Sequence, residues 1–372
     1  MVWPVFLVCD PIPGFNTWKS LGRADPQDLS DYYTTICRML DQASSHTALC
    51  LLYERLISDP ETAIKRIYAL WEVPYLETML QPVYELTTIE GQSFIDLGLP
   101  SHSYGLLSNK EKDNIEQLAG HRYMRLWESD ITRLHAALST KTWVGFDLDD
   151  TLHEFRRSSG MATDKVLKEI SQQYGTPMSA LKDEYSRVLK EKTVNAFSDG
   201  KTSFDYRRER FSSLLTRFSL PQEPQFMTQL LELYEATLVT SLELKCGALK
   251  LLSTLKDMGK KIVVVTEGPQ DAQERTVQAL GISEYIDFLA TTNKFRVTKT
   301  DGLFSRVLEH LGIPATDMVY IGDNEQRDIQ PALSAGIYSI QLAETQHVSL
   351  NTWPPQVNTL NKLWYIFAGH TP

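Results

Sequence analysis

Three short apolar runs stand out along the chain, and each ends in polar side chains. Trp143, Val144, Gly145 and Phe146 lead into Asp147, Ile262 to Val265 lead into Thr266, and Met318 to Ile321 lead into Gly322 and Asp323. Continuous apolar runs of this length read as strands of a parallel sheet buried on both faces. Between them the period changes to that of a helix. Gly247 to Met258 places Leu251, Leu252 and Leu255 on one face and stops at Gly259, a natural C-terminal cap; Gly302 to Leu311 sets Leu303, Val307 and Leu311 on one stripe before Gly312 and Pro314. Strands alternating with helices predict an α/β fold with a Rossmann-like parallel sheet.

The spacing between the first two runs is too long for a simple crossover. Asp147 and Thr266 are 119 residues apart, whereas a βαβ unit needs about 30. Four helical stripes fill the gap: Val166, Leu167, Ile170 and Tyr174; Leu181, Tyr185 and Val188; Phe211, Leu214, Leu215 and Phe218; Leu230, Leu233, Tyr234 and Leu238. They predict a helical cap over residues 157–242, inserted into a core made of residues 141–156 and 243–372. Residues 1–140 form a separate, mostly helical part with a strand-like start at Val5 to Val8. Its clearest helix opens at Ser58, Asp59, Pro60 and Glu61, an N-cap followed by Pro in the first turn, and presents Ile64, Ile67, Tyr68 and Trp71. Trp18, Trp71 and Trp127 are expected to pack the core of this part.

Composition narrows the classes of function. The chain has 42% hydrophobic residues and a net charge of -10, with no basic run interleaved with aromatics, which argues against disorder and against a nucleic-acid partner. Cys9, Cys37, Cys50 and Cys246 form no CxxC pair, so they read as reduced thiols and not as a zinc site. The apolar start from Met1 to Cys9 meets Asp10 before it could span a bilayer or serve as a full signal peptide. A cytoplasmic protein without a membrane span is expected.

In open α/β sheets ligands bind at the carboxyl ends of the strands, where these three polar endings converge. Asp147, Asp149 and Asp150 crowd three carboxylates into four positions, and such crowding of hard oxygen donors calls for a cation, Mg2+ above all. Asp323 could complete that metal site. A carboxylate beside Mg2+ can attack a phosphoryl centre, and a second one two residues on can protonate the leaving oxygen. Thr266 offers a hydroxyl and Lys299 a cation for the phosphoryl charge, while Asp328 could hold the lysine. Asp150 is read as a turn or helix cap and His153 as a structural or exposed histidine, with substrate contact as the alternative. Arg207, Arg208 and Arg210 are read as a solvated helix face, with clamping of an anionic substrate as the alternative.

The ordered set resembles the haloacid dehalogenase-like hydrolase superfamily over residues 141–345. Its first motif stands as Asp147-Leu148-Asp149-Asp150-Thr151, its second as Ile262 to Thr266, its lysine as Lys299 before Thr300 where Pro is commoner, and its fourth as Gly322-Asp323 followed by Asp328. The resemblance implies Asp147 as nucleophile, Asp149 as general acid and base, and Mg2+ held by Asp147, the carbonyl of Asp149 and Asp323. Dehalogenating members lack the second Asp, so Asp149 favours a phosphatase acting on a small phosphate ester: a phosphosugar, a nucleotide, or an isoprenoid phosphate or diphosphate. A phosphomutase of the same superfamily and a non-catalytic nucleotide- or partner-binding protein are the alternatives.

The N-terminal part resembles the C-terminal half of a sulfotransferase, through Val8-Cys9-Asp10-Pro11, Asn16 to Ser20, Tyr53-Glu54-Arg55-Leu56 and Val73-Pro74. The Arg and Ser that hold the nucleotide 3'-phosphate in that family are here Cys9 and Thr17, and the phosphate-cradling loop has no counterpart. With 18 acidic and 11 basic residues in 1–140, this part is expected to be non-catalytic.

Overall fold

The structure, a computed structural model, describes residues 4–20, 31, 34–35, 38, 49–75, 107–193, 197, 199–344, 350 and 352–369. Cys37 and the side chains of Thr17 and Trp18 lie outside the described residues. The chain divides into two compact units, one of Met1–Leu138 with Leu342–Pro372 and one of Ser139–Gln341.

In the first unit, β1 (Val5–Val8) lies parallel to β2 (Leu49–Leu52), with Val5 opposite Leu49 and Val8 opposite Leu52. The helix Pro60–Leu70 starts as its sequence requires: the Asp59 carboxylate accepts from the Thr62 N–H at 3.2 Å, and Pro60 occupies the first turn. Trp127 is 2% exposed. Trp71, expected in the core, is instead 38% exposed, because it stands at the C-terminal cap where the chain leaves the helix. The sequence reading carried the sheet core through residue 372, whereas residues 342–372 group with the N-terminal residues. A buried charge pair ties them there: Lys362 donates to Asp10, whose Oδ2 also accepts from Asn358 at 2.8 Å.

The second unit is built on five parallel strands, β3 (Trp143–Phe146), β4 (Lys261–Thr266), β5 (Phe288–Thr291), β6 (Met318–Gly322) and β7 (Tyr338–Leu342), in the spatial order β5-β4-β3-β6-β7. Trp143 pairs with both Lys261 and Met318, so the central strands run in step and their polar endings emerge at one edge of the sheet. Helices α1 (Phe155–Tyr174), α2 (Met178–Thr193), α3 (Ser203–Arg217) and α4 (Pro224–Ser241) occupy the long insertion. The four stripes predicted from spacing face inward, with Val166, Ile170, Leu181, Phe211, Leu214 and Leu230 all at 0% exposure in one apolar cluster. Thr202 caps α3 in a capping box with Asp205, which fixes where the third helix begins. After the insertion, α5 (Ala248–Asp257) buries Leu251, Leu252 and Leu255, and α6 (Gln270–Ala279) and α7 (Leu303–Leu311) follow β4 and β5. Among the described residues no helix is long and apolar enough to cross a membrane.

Phe211 is the centre of the inserted bundle, its ring 6.0 Å from those of Tyr185 and Tyr234. Truncating it leaves a cavity that the rigid neighbours cannot fill, so Phe211→Ala should cost about 3–5 kcal/mol in urea-induced unfolding. A loss under about 1 kcal/mol would show that the bundle is not closed around this ring.

Candidate active site

Each strand ending contributes one part of a single site. β3 delivers Asp147, whose own N–H donates to the Ile321 carbonyl at 2.9 Å and so continues the sheet by one residue. β4 delivers Thr266 and β6 delivers Asp323, while Lys299 comes from the turn before α7. All six residues singled out from the sequence, Asp147, Asp149, Thr266, Lys299, Asp323 and Asp328, line one cavity of about 500 Å³ whose other wall is the helical insertion.

Lys299 is the hub of the charge arrangement. Its buried Nζ donates to Asp147 Oδ1 at 2.6 Å and to Asp328 Oδ1 at 2.5 Å. Burial opposes charge on Lys299, but the two carboxylates outweigh it and push its pKa up. At Asp147 burial dominates and raises the carboxyl well above its usual range, aided by Asp328 and Asp149 and opposed by Lys299. Asp328 accepts two donors besides Lys299: the Tyr320 hydroxyl on Oδ1 at 3.0 Å and the Asn324 N–H on Oδ2 at 3.1 Å. This close seating requires Gly322, because a Cβ there would lie 2.5 Å from Asp328 Cβ. Asp328 is therefore the anchor of the lysine.

Asp147, Asp323 and Asp328 present carboxylate oxygens within 4.8 Å of one another. Asp323 is pushed up to about 6 by burial and by the negative charge of Asp328, with Arg156 opposing. Crowded, partly desolvated oxygens of this kind fit a hard divalent cation, which would relieve the repulsion. Thr151 knits the loop together: it donates to Asp147 Oδ2 at 3.4 Å and accepts from the Asp323 N–H at 3.1 Å. The hydroxyl of Thr266 is buried and has no hydrogen-bond partner among the described residues, so it can meet a ligand oxygen.

Asp149 points into the same cavity between two side chains. His153 Nε2 lies 2.9 Å from its Oδ1, and Gln273 donates to its Oδ2 at 3.4 Å. His153 is fully buried, in keeping with its structural reading. Asp150, at φ 59°, accepts from the Arg156 N–H at 3.0 Å and caps the start of the first inserted helix. The arginine run is not a solvated face. Arg207 is 7% exposed and Arg210 also lines the cavity, because α3 presents this side to the site, while Arg208 is exposed. Gln273, Arg156 and Tyr320 were not singled out from sequence; only the tyrosine carried a signal, as a hydroxyl inside an otherwise aliphatic strand.

Comparison with known proteins places the family. The family model described as haloacid dehalogenase-like hydrolase matches residues 144–342, more than half of the chain. The chain belongs to this family. It is 26% identical over 220 residues to glyceraldehyde 3-phosphate phosphatase of Methanocaldococcus jannaschii, covering 59% of this chain and 92% of that protein. It is also 26% identical over 235 residues to the pyrimidine 5'-nucleotidase YjjG of Escherichia coli, covering 61% and 98%. The solved structure of the HAD-hydrolase YfnB from Bacillus subtilis, bound to magnesium, aligns with a TM-score of 0.48 and 20% identity over 62% of this chain and 99% of that one. The resemblance read from the four motifs is thus borne out at the level of the family.

Removing the lysine leaves two buried carboxylates facing each other. Lys299→Met should lower the unfolding free energy by about 3–5 kcal/mol at neutral pH. Because burial raises the Asp147 pKa, its carboxyl takes up a proton more readily than an ordinary one once the lysine is gone, so the loss should be smaller at about pH 5 than at about pH 8. Denaturant titrations at both values check this; an equal loss at both would mean that Lys299 does not neutralise the pair.

Proposed function

We propose that this hydrolase of phosphate monoesters works through an aspartyl phosphate on Asp147 and requires Mg2+, with a small phosphorylated metabolite as substrate. The observation that carries the reading is the convergence of Asp147, Asp149, Thr266 and Lys299 on one cavity. Asp147 Oδ attacks the phosphorus while the bond to the leaving oxygen breaks, and Asp149 gives that oxygen its proton. A water entering the vacated position then returns a proton to Asp149 and attacks the phosphorus, releasing inorganic phosphate and regenerating the Asp147 carboxylate. Lys299 holds Asp147 by one oxygen and fixes its direction of attack. The orphaned Thr266 hydroxyl donates to a phosphoryl oxygen. Asp147, the carbonyl of Asp149 and Asp323 would hold Mg2+, whose charge would offset that of the phosphoryl oxygens and of the carboxylates. Asp328 acts through Lys299.

The likeness to a glyceraldehyde 3-phosphate phosphatase and a pyrimidine 5'-nucleotidase supports a small sugar or nucleoside phosphate, and a cavity of about 500 Å³ under a cap suits that size. Residues 157–242 serve as the cap and residues 141–156 with 243–341 as the catalytic core. The N-terminal part, read as related to a sulfotransferase, is assigned no sulfuryl transfer: Cys9 cannot supply the charged fork that a 3'-phosphate needs.

Two kinetic results follow. Asp147→Asn should reduce kcat by several orders of magnitude, and chelation of divalent cations should abolish wild-type turnover, both read with p-nitrophenyl phosphate. Asp149→Asn should slow alkyl phosphates at least about tenfold more than aryl phosphates, whose leaving groups need no proton. Equal losses for both ester types would remove the acid role, and rapid aryl phosphate hydrolysis by the wild type would count against a mutase.

A further inference from the structure

The cavity is charged unevenly. Its floor holds Asp147, Asp149, Asp323 and Asp328 against Lys299 and Arg156, whereas the wall contributed by α3 carries Arg207 and Arg210. Most cations lining the cavity already have a carboxylate partner: Lys299 as above, Arg156 with Asp150 and Asp323, Arg327 with Glu267, and Arg207 with Glu235. Glu235 is shared, since Arg275 also donates to it at 2.8 Å. Arg210 has no ion pair among the described residues, and its Nε is buried without any hydrogen-bond partner. Its guanidinium lies 5.9 Å from the centre of the Phe197 ring, and Tyr185 and Tyr234 line the same wall. Burial pushes Tyr185 up to about 12 and raises Tyr234 as well, so neither phenol supplies a counter-charge.

An uncompensated guanidinium in a partly desolvated wall leaves its solvation to be replaced by an anion. We propose that Arg210 is a specificity residue that binds a second anionic group of the substrate, so the favoured substrates are phosphate monoesters that carry a further carboxylate or phosphate. This rests on the phosphatase reading above and narrows it. Arg207, fixed by Glu235 and stacked 4.5 Å from the centre of the Tyr234 ring, forms the rigid side of the subsite. The reacting phosphoryl group sits against Asp147 at the acidic strand ends.

The test compares matched pairs of phosphate esters over a graded series of chain lengths. In each pair one member ends in a carboxylate or a second phosphate and the other in a neutral carboxamide. At the length that spans the cavity the wild-type enzyme should prefer the anionic member by about 10- to 100-fold in kcat/KM, mainly through KM. Arg210→Gln should bring that ratio close to one, and Arg210→Lys should retain part of it. Preference for the carboxylate or for the second phosphate identifies the source of the anion, and either supports the subsite. No preference at any length, or equal loss for both members of a pair in Arg210→Gln, overturns it; the second result would place Arg210 on the reacting phosphate. Calorimetric binding of the same pairs to Asp147→Asn reads the ratio without turnover, and failure of the wild type to hydrolyse even p-nitrophenyl phosphate would overturn the phosphatase reading separately.

Discussion

Two buried carboxylates, Asp147 and Asp328, share one buried ammonium, and the rest of the site is arranged around that triad. Removing either side of this arrangement would leave buried charge without a partner, because Lys299 is the one cation that both carboxylates share. The demand reaches back into the sheet. Gly322 lacks a side chain so that Asp328 can close on the strand, and Tyr320 places its hydroxyl within the sheet, 3.0 Å from both the Asp328 carboxylate and the Val265 carbonyl, which share its one proton. Parallel strands in step then bring Thr266 and Asp323 to the same edge, so chemistry distributed over some 180 residues converges on one corner of the fold.

The helical insertion supplies the other wall of the cavity. Its own core is independent of the sheet, built on Phe211 and the surrounding leucines, so it can present polar side chains to the cavity without weakening itself. In the proposed reaction the division of labour is electrostatic: an acidic floor would accommodate the cation and the phosphoryl transfer, and the arginine-bearing wall would sort what else a substrate carries. In the proposed reaction, chemistry and selectivity thus belong to different parts of the chain.

Much of this was legible in the sequence, for identifiable reasons. Strands buried on both faces are uniformly apolar, so β3, β4 and β6 announced themselves, and the 119-residue gap exposed the insertion. The outer strands β5 and β7 did not, because Phe288–Thr291 is short and Tyr338–Leu342 mixes polar with apolar positions. The strand-end residues could be named because each follows an apolar run, but Gln273 and the state of Arg210 could not. Both depend on which helix faces the cavity, a tertiary fact. Trp71 misled for the opposite reason: its helical stripe was right, yet it falls on the last turn, where the chain leaves the helix. The grouping of residues 342–372 with the N-terminal unit rests on a long-range pair, Lys362 with Asp10, that no local pattern reveals.

The most direct test of the account is to catch the covalent intermediate. A rapid acid quench during turnover of an aryl phosphate, followed by peptide mapping by mass spectrometry, should find a phosphoryl group on the peptide containing Asp147, labile to base and absent from Asp147→Asn. A phosphoryl group on another residue, or none at any quench time while turnover proceeds in a burst, would contradict it.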